Sequence, residues 1–141
     1  MTRPIYETQT DRNNERRLAA KIEKHYGCIL SKMPMKLSLD FMAIRDGKAV
    51  AFIEARQRKI AMNTYPTYML SLYKAMQARS LTMTTGLPCF LAVQWTDKAG
   101  IAKLPPAHED MHIVMGGTTR RDDPQDIEPM VHFDIANFKE L

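Results

Sequence analysis

Two apolar runs joined by an Asp-Gly pair limit most strongly what this chain can fold into. The runs occupy residues 37–44 and 50–56, and the link between them contains Asp46-Gly47. Both have the length of a strand, and Asp-Gly between such runs is typical of a β-hairpin. Each run carries one acid, Asp40 or Glu54, among residues that favour burial. A buried carboxylate is costly unless a cation or hydrogen bonds compensate it, so the pair predicts a divalent-metal site.

Whether the two acids meet depends on the register of the hairpin. A two-residue loop at Asp46-Gly47 would put Asp40 and Glu54 on opposite faces. A three-residue loop that also includes Arg45 would put them diagonally across one face, about 7–8 Å apart between Cα atoms. We favour the three-residue loop because it separates a charged face from a wholly apolar one that a helix could cover. That apolar face would consist of Leu37, Leu39, Phe41, Ala43, Ala49, Ala51, Ile53 and Ala55.

The spacing of apolar residues predicts two helices. The first should begin with Thr10 or Asp11 as its cap and end at Gly27. The second should open at Pro66, continue through about Thr84 and stop at Gly86.

Strand-like runs fill much of the remainder. Outside the hairpin they lie at residues 28–30, 88–95, 101–104, 112–115 and 131–135, the last of them expected at a sheet edge. The order helix, strand, hairpin, helix, strand, then short strands indicates an α/β fold with a mixed sheet. A chain of 141 residues should form one domain, with a core of about residues 11–104 and an acidic extension of about 105–141.

Charge is distributed unevenly along the chain. Residues 1–60 carry a net charge of +6 and residues 105–141 one of −5, within a total of +4. A basic surface around two acids suits a polyanionic substrate, and a solvated surface without a partner is the alternative. No apolar run approaches the ~18–20 residues that span a membrane. The N-terminus lacks the layout of a signal peptide, and Cys28 and Cys89 are isolated, so we expect two buried thiols in a reducing, cytoplasmic compartment.

One sequence motif matches a zinc-binding pattern in its residue types but not in its expected structural context. His108 to His112 read H-E-x-x-H, which binds zinc only when both histidines share a helix face. Pro105-Pro106 precede the motif, and Gly116-Gly117 follow a short apolar run behind it, which leaves no room for that helix. We therefore expect no metalloprotease, and no metal role for any of the four histidines.

The remaining constellation resembles a nuclease family. Asp40, followed across a hairpin by Glu54-Ala55-Arg56, resembles the motif of the PD-(D/E)XK superfamily, whose fold is the restriction-endonuclease-like fold. The order of elements is similar to that superfamily's αβββαβ core. Residues 52–58 and 65–70 look particularly like small nucleases of phages and mobile elements, some related to Holliday-junction resolvases. The resemblance covers about residues 11–104.

This resemblance implies a nuclease that hydrolyses DNA phosphodiester bonds with a metal-activated water. Asp40 and Glu54 would bind Mg²⁺ or Mn²⁺ together with the carbonyl oxygen of Ala55. Glu15 would orient an outer-shell water or bind a second metal, unless it serves only the helix as a capping or dipole residue. The resemblance also implies that the protein acts in a bacterial or phage-infected cell, and it is compatible with a homodimer. The candidates for contacts with nucleic acid are Arg12, Arg16, Arg58, Lys59, Tyr65 and Lys74.

Arg56 departs from the family pattern, which usually has Lys at that position. Arg stays protonated, so it can donate hydrogen bonds to phosphate or water but is a poor base. Lys59 or Lys74 could supply the missing amine. Alternatively, Arg56 only neutralises the acids in an ion pair, and the protein is a catalytically inactive nuclease fold that binds DNA or serves as an assembly module.

Overall fold

The computed structural model describes residues 8–34, 39–117 and 127–141. The helices within these ranges are α1 (Gln9–Tyr26) and α2 (Leu72–Thr85). The strands are β1 (Ile29–Lys32), β2 (Phe41–Arg45), β3 (Lys48–Gln57), β4 (Thr67–Ser71), β5 (Cys89–Gln94), β6 (Ala99–Lys103), β7 (His112–Gly117), β8 (Ile127–Asp134) and β9 (Lys139–Glu140). Leu37, the first member of the expected apolar face, lies outside the described residues. None of the helices described is long and apolar enough to cross a lipid bilayer.

The central sheet is mixed, as predicted, with strand order β1-β2-β3-β5-β6-β9. The pair β3 and β5 is parallel, with α2 in the connection between them, and the other pairs are antiparallel. The predicted αβββαβ order is therefore confirmed. A second sheet of order β4-β8-β7 accompanies it. Its strand β4 is inserted between β3 and α2.

The hairpin turn has two residues, so the three-residue loop was wrong. Arg45 pairs with Lys48 across Asp46 and Gly47. Both turn residues have positive φ, 52° and 75°. That combination belongs to the two-residue turn that follows the twist of its strands, and Asp-Gly adopts it readily.

A β-bulge next to the turn restores the predicted faces. The register shifts between Ala43 and Ile44, so that Ala43 pairs with Ala51 and Val50 is the extra residue. One inserted residue exchanges the two faces of a strand, because successive side chains alternate. The face that carries Glu54 therefore also carries the Met42 side of β2, as a three-residue loop would have arranged it.

Helix α1 covers the apolar face of the hairpin. Leu18, Ala19 and Ile22 are buried and pack against this face. The strand residues of this core are Leu30, Phe41, Ala43, Ala51, Ile53, Ala55, Ala92, Ala99 and Ile101. Small residues dominate on the sheet, which lets the helix approach closely. Leu39 was expected here but belongs to the core on the other face, since it precedes the first residue of β2.

The opposite face of the sheet packs against α2 and the second sheet. Ala75 and Ala78 are the buried residues of α2. Aromatic rings fill the space between the sheets, with Trp95 and Phe138 edge to face at 5.2 Å between centroids and Tyr68 at 6.4 Å from both. The central sheet is thus covered on both faces. Polar side chains can come together at the ends of this sheet, where the strands begin and where they stop pairing with their neighbours.

Three local expectations were wrong in ways that packing explains. Pro66 precedes strand β4 and not a helix, because residues 67–71 pair with β8 about sixty positions later. Strand β8 lies in the middle of the second sheet and not at an edge. Cys28 is half-buried, whereas Cys89 is buried as expected.

The cap of α1 is Thr8, neither Thr10 nor Asp11. Thr8 Oγ1 accepts a hydrogen bond from the backbone N–H of Asp11 at 3.1 Å, and Asp11 Oδ2 accepts one from the N–H of Thr8 at 3.0 Å. This reciprocal pair is a capping box, with Asp11 as its third helical residue. At the other end, Gly27 adopts the left-handed conformation that was predicted to stop the helix.

Removing the cap should destabilise the fold, and its position can be tested. We expect Thr8→Ala to lower the free energy of unfolding by about 1 kcal/mol, since the Asp11 N–H loses its acceptor. Thr10→Ala is the matched control and should cost little. Urea denaturation of both variants checks this, and an equal loss from Thr10→Ala would contradict the assignment.

Candidate active site

The Glu54 carboxylate is buried at the end of β3 that is distant from the hairpin turn. Its residue is only 2% exposed. Oε2 accepts a hydrogen bond from Arg56 Nε at 2.8 Å, and Nη2 of the same guanidinium forms an ion pair with it at 2.6 Å. Oε1 has no hydrogen-bond partner among the described residues, and the ammonium of Lys74 lies 3.8 Å away from it. One oxygen of this acid is therefore engaged by a cation, while the other retains capacity for a further ligand.

Asp40 lies just before β2 and is tied to β3 by a backbone hydrogen bond. Its Oδ2 accepts from the N–H of Ala55 at 2.9 Å. This bond stands where the β2–β3 ladder has stopped, one pair beyond Phe41 and Ile53. In a strand the N–H and C=O of one residue point to the same side, so the Ala55 carbonyl also faces the Asp40 side. The two acids and this carbonyl thus share one edge of the sheet.

Glu15 reaches the same edge from α1 through a lysine. Lys32 Nζ, at the end of β1, lies 2.6 Å from Glu15 Oε1 and 3.5 Å from Asp40 Oδ1. Glu15 is in the second turn of α1, and the capping role belongs to Asp11. The alternative that Glu15 caps the helix is therefore wrong.

Burial raises the pKa of Glu54 to about 7. Loss of hydration disfavours the ionised carboxylate, and the charge of Asp40 adds to the rise, while Arg56 and Lys74 oppose it. Burial is the largest single influence on the pKa of Arg56 and disfavours its charged form, but Glu54, Tyr68 and Asp40 together outweigh it and raise the pKa of Arg56. The guanidinium is therefore permanently charged, and it is the Glu54 carboxyl that titrates near neutral pH.

The oxygen atoms present fit a hard divalent cation. Asp40 and Glu54 offer carboxylate oxygens, Ala55 offers a carbonyl oxygen, and Mg²⁺ and Mn²⁺ prefer such ligands. The buried Oε1 of Glu54, which accepts no hydrogen bond from the described residues, is the observation that favours a ligand here. The described residues contain no group of three or more His, Cys, Asp or Glu side chains that could hold a metal. An ion here would therefore depend on the backbone carbonyl and on water as well as on the two acids.

The predicted nucleic-acid contacts fall into separate places. Arg58 and Tyr65 line one shallow depression beside Tyr68, whose ring lies 5.7 Å from the Arg58 guanidinium. Lys59 acts electrostatically on Asp11 near the start of α1, where Arg12 also lies.

Two of the predicted contacts have other partners. Arg16 donates to the carbonyl of Leu30 at 3.2 Å and pairs with Glu23 at 2.7 Å, so its guanidinium ties α1 to β1. Lys74 lies beside Glu54, within the site itself. Of the two lysines that could replace the amine missing at position 56, Lys74 is the one next to a site acid.

Sequence reasoning missed Lys32 and Tyr68. Lys32 gave no local signal, because its place beside Asp40 comes from the β1–β2 register that pairs it with Phe41. Tyr68 was assigned to a helix, whereas it is buried on β4 and interacts electrostatically with Arg56, Arg58 and Glu54. The H-E-x-x-H residues are not a helical pair: His108 begins a short 3₁₀ turn and His112 begins β7, as expected from the flanking residues.

Comparisons with known proteins identify the family of this chain and a similar fold. A family model described as "Phage putative PDDEXK endonuclease" matches residues 1–141. The structure is similar to Hjc, a Holliday junction resolvase from the archaeal hyperthermophile Archaeoglobus fulgidus, with a TM-score of 0.60 and 12% sequence identity. That match covers 91% of this chain and 92% of the resolvase chain. At such low identity the likeness shows the fold. No curated protein matches the sequence.

The raised pKa of Glu54 predicts that stability falls as pH rises. The folded chain keeps this proton up to about pH 7, whereas the unfolded carboxyl releases it near 4.5. Between these values the folded state binds more protons, so the free energy of unfolding decreases with increasing pH. Glu54→Gln should remove this component. The stability of the variant relative to the wild type should therefore be greater at about pH 8 than at about pH 5.

Urea denaturation of both proteins in EDTA measures this difference. Other titrating groups, such as the histidines, are common to both proteins and cancel in the comparison. A relative stability that is the same at both pH values would contradict the buried-carboxyl assignment.

Proposed function

Since this chain belongs to the family described as "Phage putative PDDEXK endonuclease", we propose that it is a metal-dependent nuclease that hydrolyses DNA phosphodiester bonds. The observation that carries the proposal is the hydrogen bond from the Ala55 N–H to Asp40 Oδ2 at 2.9 Å. It brings the acid that precedes β2 against the residue next to Glu54. One carboxylate from the segment before β2, one from β3 and one backbone carbonyl therefore meet at one edge of the sheet.

Asp40, Glu54 and the Ala55 carbonyl are the proposed ligands of Mg²⁺ or Mn²⁺. An ion held there would lower the pKa of a water and neutralise charge on the scissile phosphate. The protein's own part is to keep these oxygens in place before substrate arrives. The Ala55 N–H orients Asp40, and burial between the sheet and α2 keeps Glu54 in a single environment.

Arg56 and Lys74 have different tasks in this proposal. Arg56 remains protonated, so it donates to Glu54 and can donate to a phosphate oxygen, but it cannot remove a proton from water. Its side chain is 40% exposed, which leaves part of the guanidinium open to substrate. Lys74 offers a compact ammonium 3.8 Å from Glu54 Oε1. We assign it the role that the family's motif lysine has, which is to stabilise charge at the attacking water and phosphate.

Arg58, Tyr65, Lys59 and Arg12 are the proposed contacts to the DNA backbone. Tyr65 is 57% exposed and shares a depression with Arg58. An aromatic ring beside a guanidinium suits a sugar or base face next to a phosphate. We further propose a homodimer in the cytoplasm of a bacterial or phage-infected cell, on the strength of the family alone.

Removing either carboxylate should abolish cleavage. We expect Asp40→Asn and Glu54→Gln each to lower kcat by about 10³-fold or more, as when one member of a concerted catalytic group is lost. Glu109→Gln alters an exposed acid away from the site and is the control. Cleavage of labelled duplex and branched DNA, with Mg²⁺, Mn²⁺ or EDTA, measures the effect. Undiminished cleavage in EDTA, or by either variant, would refute the mechanism.

The ammonium of Lys74 should matter for the chemical step more than for binding. We expect Lys74→Met to lower kcat by about 10²-fold while the Kd for DNA changes little, because the lost charge faces Glu54 and not the outer surface. Lys48→Met, at the hairpin end of β3, is the matched control. Single-turnover cleavage and a gel shift separate the two effects. A variant that cleaves normally but binds poorly would make Lys74 a phosphate contact instead.

The Arg56–Glu54 ion pair favours a second candidate function. A catalytically inactive nuclease fold that binds DNA, or that serves as an assembly module, would keep such a pair as a structural substitute for the ion. Arg56→Lys discriminates between the two functions. Cleavage present in the natural protein supports the nuclease, whereas cleavage that appears only in the variant supports the inactive module. DNA binding that is absent, or that does not weaken with salt, would favour the assembly role.

A further inference from the structure

Lys32 contacts two acids at the site, Glu15 and Asp40, and does not contact Glu54. Its ammonium lies 2.6 Å from Glu15 Oε1 and 3.5 Å from Asp40 Oδ1. It also lies 5.4 Å from the centre of the Phe41 ring. The β1–β2 register pairs Lys32 with Phe41, the residue after Asp40, so the backbone ladder sets this position. Three elements, α1, β1 and the segment before β2, thus converge on one positive charge.

At these distances the Lys32 ammonium neutralises two carboxylates at once. Two carboxylates at this separation repel one another unless a positive charge lies between them. A lysine ammonium is a point charge with three donors. It is compact and strongly hydrated, and in these two properties it resembles a small metal ion more than a guanidinium does. In nucleases with two metal ions, the second ion occupies a position about 3.5–4 Å from the first, bound by further acids. Here a side chain of the protein bridges the further acid, Glu15, to Asp40.

The other cations of the site do not duplicate this role. Arg56 and Lys74 contact the two oxygens of Glu54. Lys32 contacts Glu15 and Asp40. Asp40 therefore belongs to both halves of the site, and its Oδ1 faces the lysine while Oδ2 is held by Ala55.

We propose that Lys32 is the resident cation of the Glu15–Asp40 pair, so that the active site takes one divalent ion and not two. This inference rests on the proposed nuclease function and refines it. Glu15 then serves to hold Lys32 and is not a ligand of a second metal. The lysine side chain is 42% exposed, so its ammonium also presents a fixed positive charge to the surface along which a phosphodiester would lie.

The number of ions bound per chain tests the proposal without any cleavage assay. Calorimetric titration with Mn²⁺, with free Mn²⁺ followed by electron paramagnetic resonance, should give one ion for the full wild-type chain. Lys32→Gln and Lys32→Met, which remove the charge, should give two, because the ammonium that lies between Glu15 and Asp40 is then gone. Lys32→Arg keeps the charge and should give one. Lys48→Gln is the control at a distant surface and should also give one.

A double variant locates the second ion. Adding Glu15→Gln to Lys32→Gln should return the count to one, since the new site needs both acids. A count that stays at two would place the extra ion elsewhere and overturn the inference.

The results separate this inference from the nuclease function itself. Two ions in the wild type, or one ion in both of the folded neutral variants, would overturn the role of Lys32 and leave a metal-dependent nuclease intact. No Mn²⁺ bound by the wild type would remove the proposed function and this inference with it. Far-UV circular dichroism establishes which variants are folded, and the wild-type count decides the question even if neither neutral variant folds.

Discussion

The burial of one carboxylate is the constraint on which the site depends. Glu54 lies between the central sheet and α2, where an ionised group loses most of its hydration. A buried charge that lost its partners would cost several kcal/mol, so the surrounding structure has to supply positive groups in good geometry. It does so from two directions: Arg56 from the same strand, and Lys74 from the helix that crosses over to β5. This acid therefore links the packing of α2 to the charged side chains at the end of β3.

The edge of the sheet explains why the acids can meet. Strand β2 begins at Phe41, so beyond that point β3 has backbone groups that no neighbouring strand engages on this side. The Asp40 side chain takes the hydrogen bond at Ala55 that a ladder residue would otherwise make. A carboxylate is thereby held rigidly beside a backbone carbonyl at a place where the core ends. These oxygen atoms can come together here because the ends of the strands stay uncovered even when both faces of the sheet are packed.

The acids of the site contact two separate sets of cations. Glu54 has Arg56 and Lys74, whereas Glu15 and Asp40 share Lys32. These ammonium and guanidinium groups come from β1, β3 and α2, elements that the family's core order also brings together. The structural likeness to a resolvase at 12% identity indicates that this order can persist when few individual residues do. A change of Lys to Arg in the motif is compatible with that order, because neighbouring elements bring other amines to the same acids.

The sequence alone determined the αβββαβ order of the core elements and, within the paired part of the hairpin, which residues share a face. Side chains along a strand alternate between its two faces, so the apolar residues of the hairpin could share one face only if one extra residue entered the hairpin. The same extra residue brings Asp40 and Glu54 to one side. The sequence did not determine whether that residue lay in the turn or in a bulge at Val50, because both choices satisfy the same pattern. Nor could it assign β4, whose strand state depends on pairing with β8. The positions of Lys32 and Lys74 beside the acids were likewise decided only by tertiary structure, since each depends on how a distant element packs and not on its own neighbours in the chain.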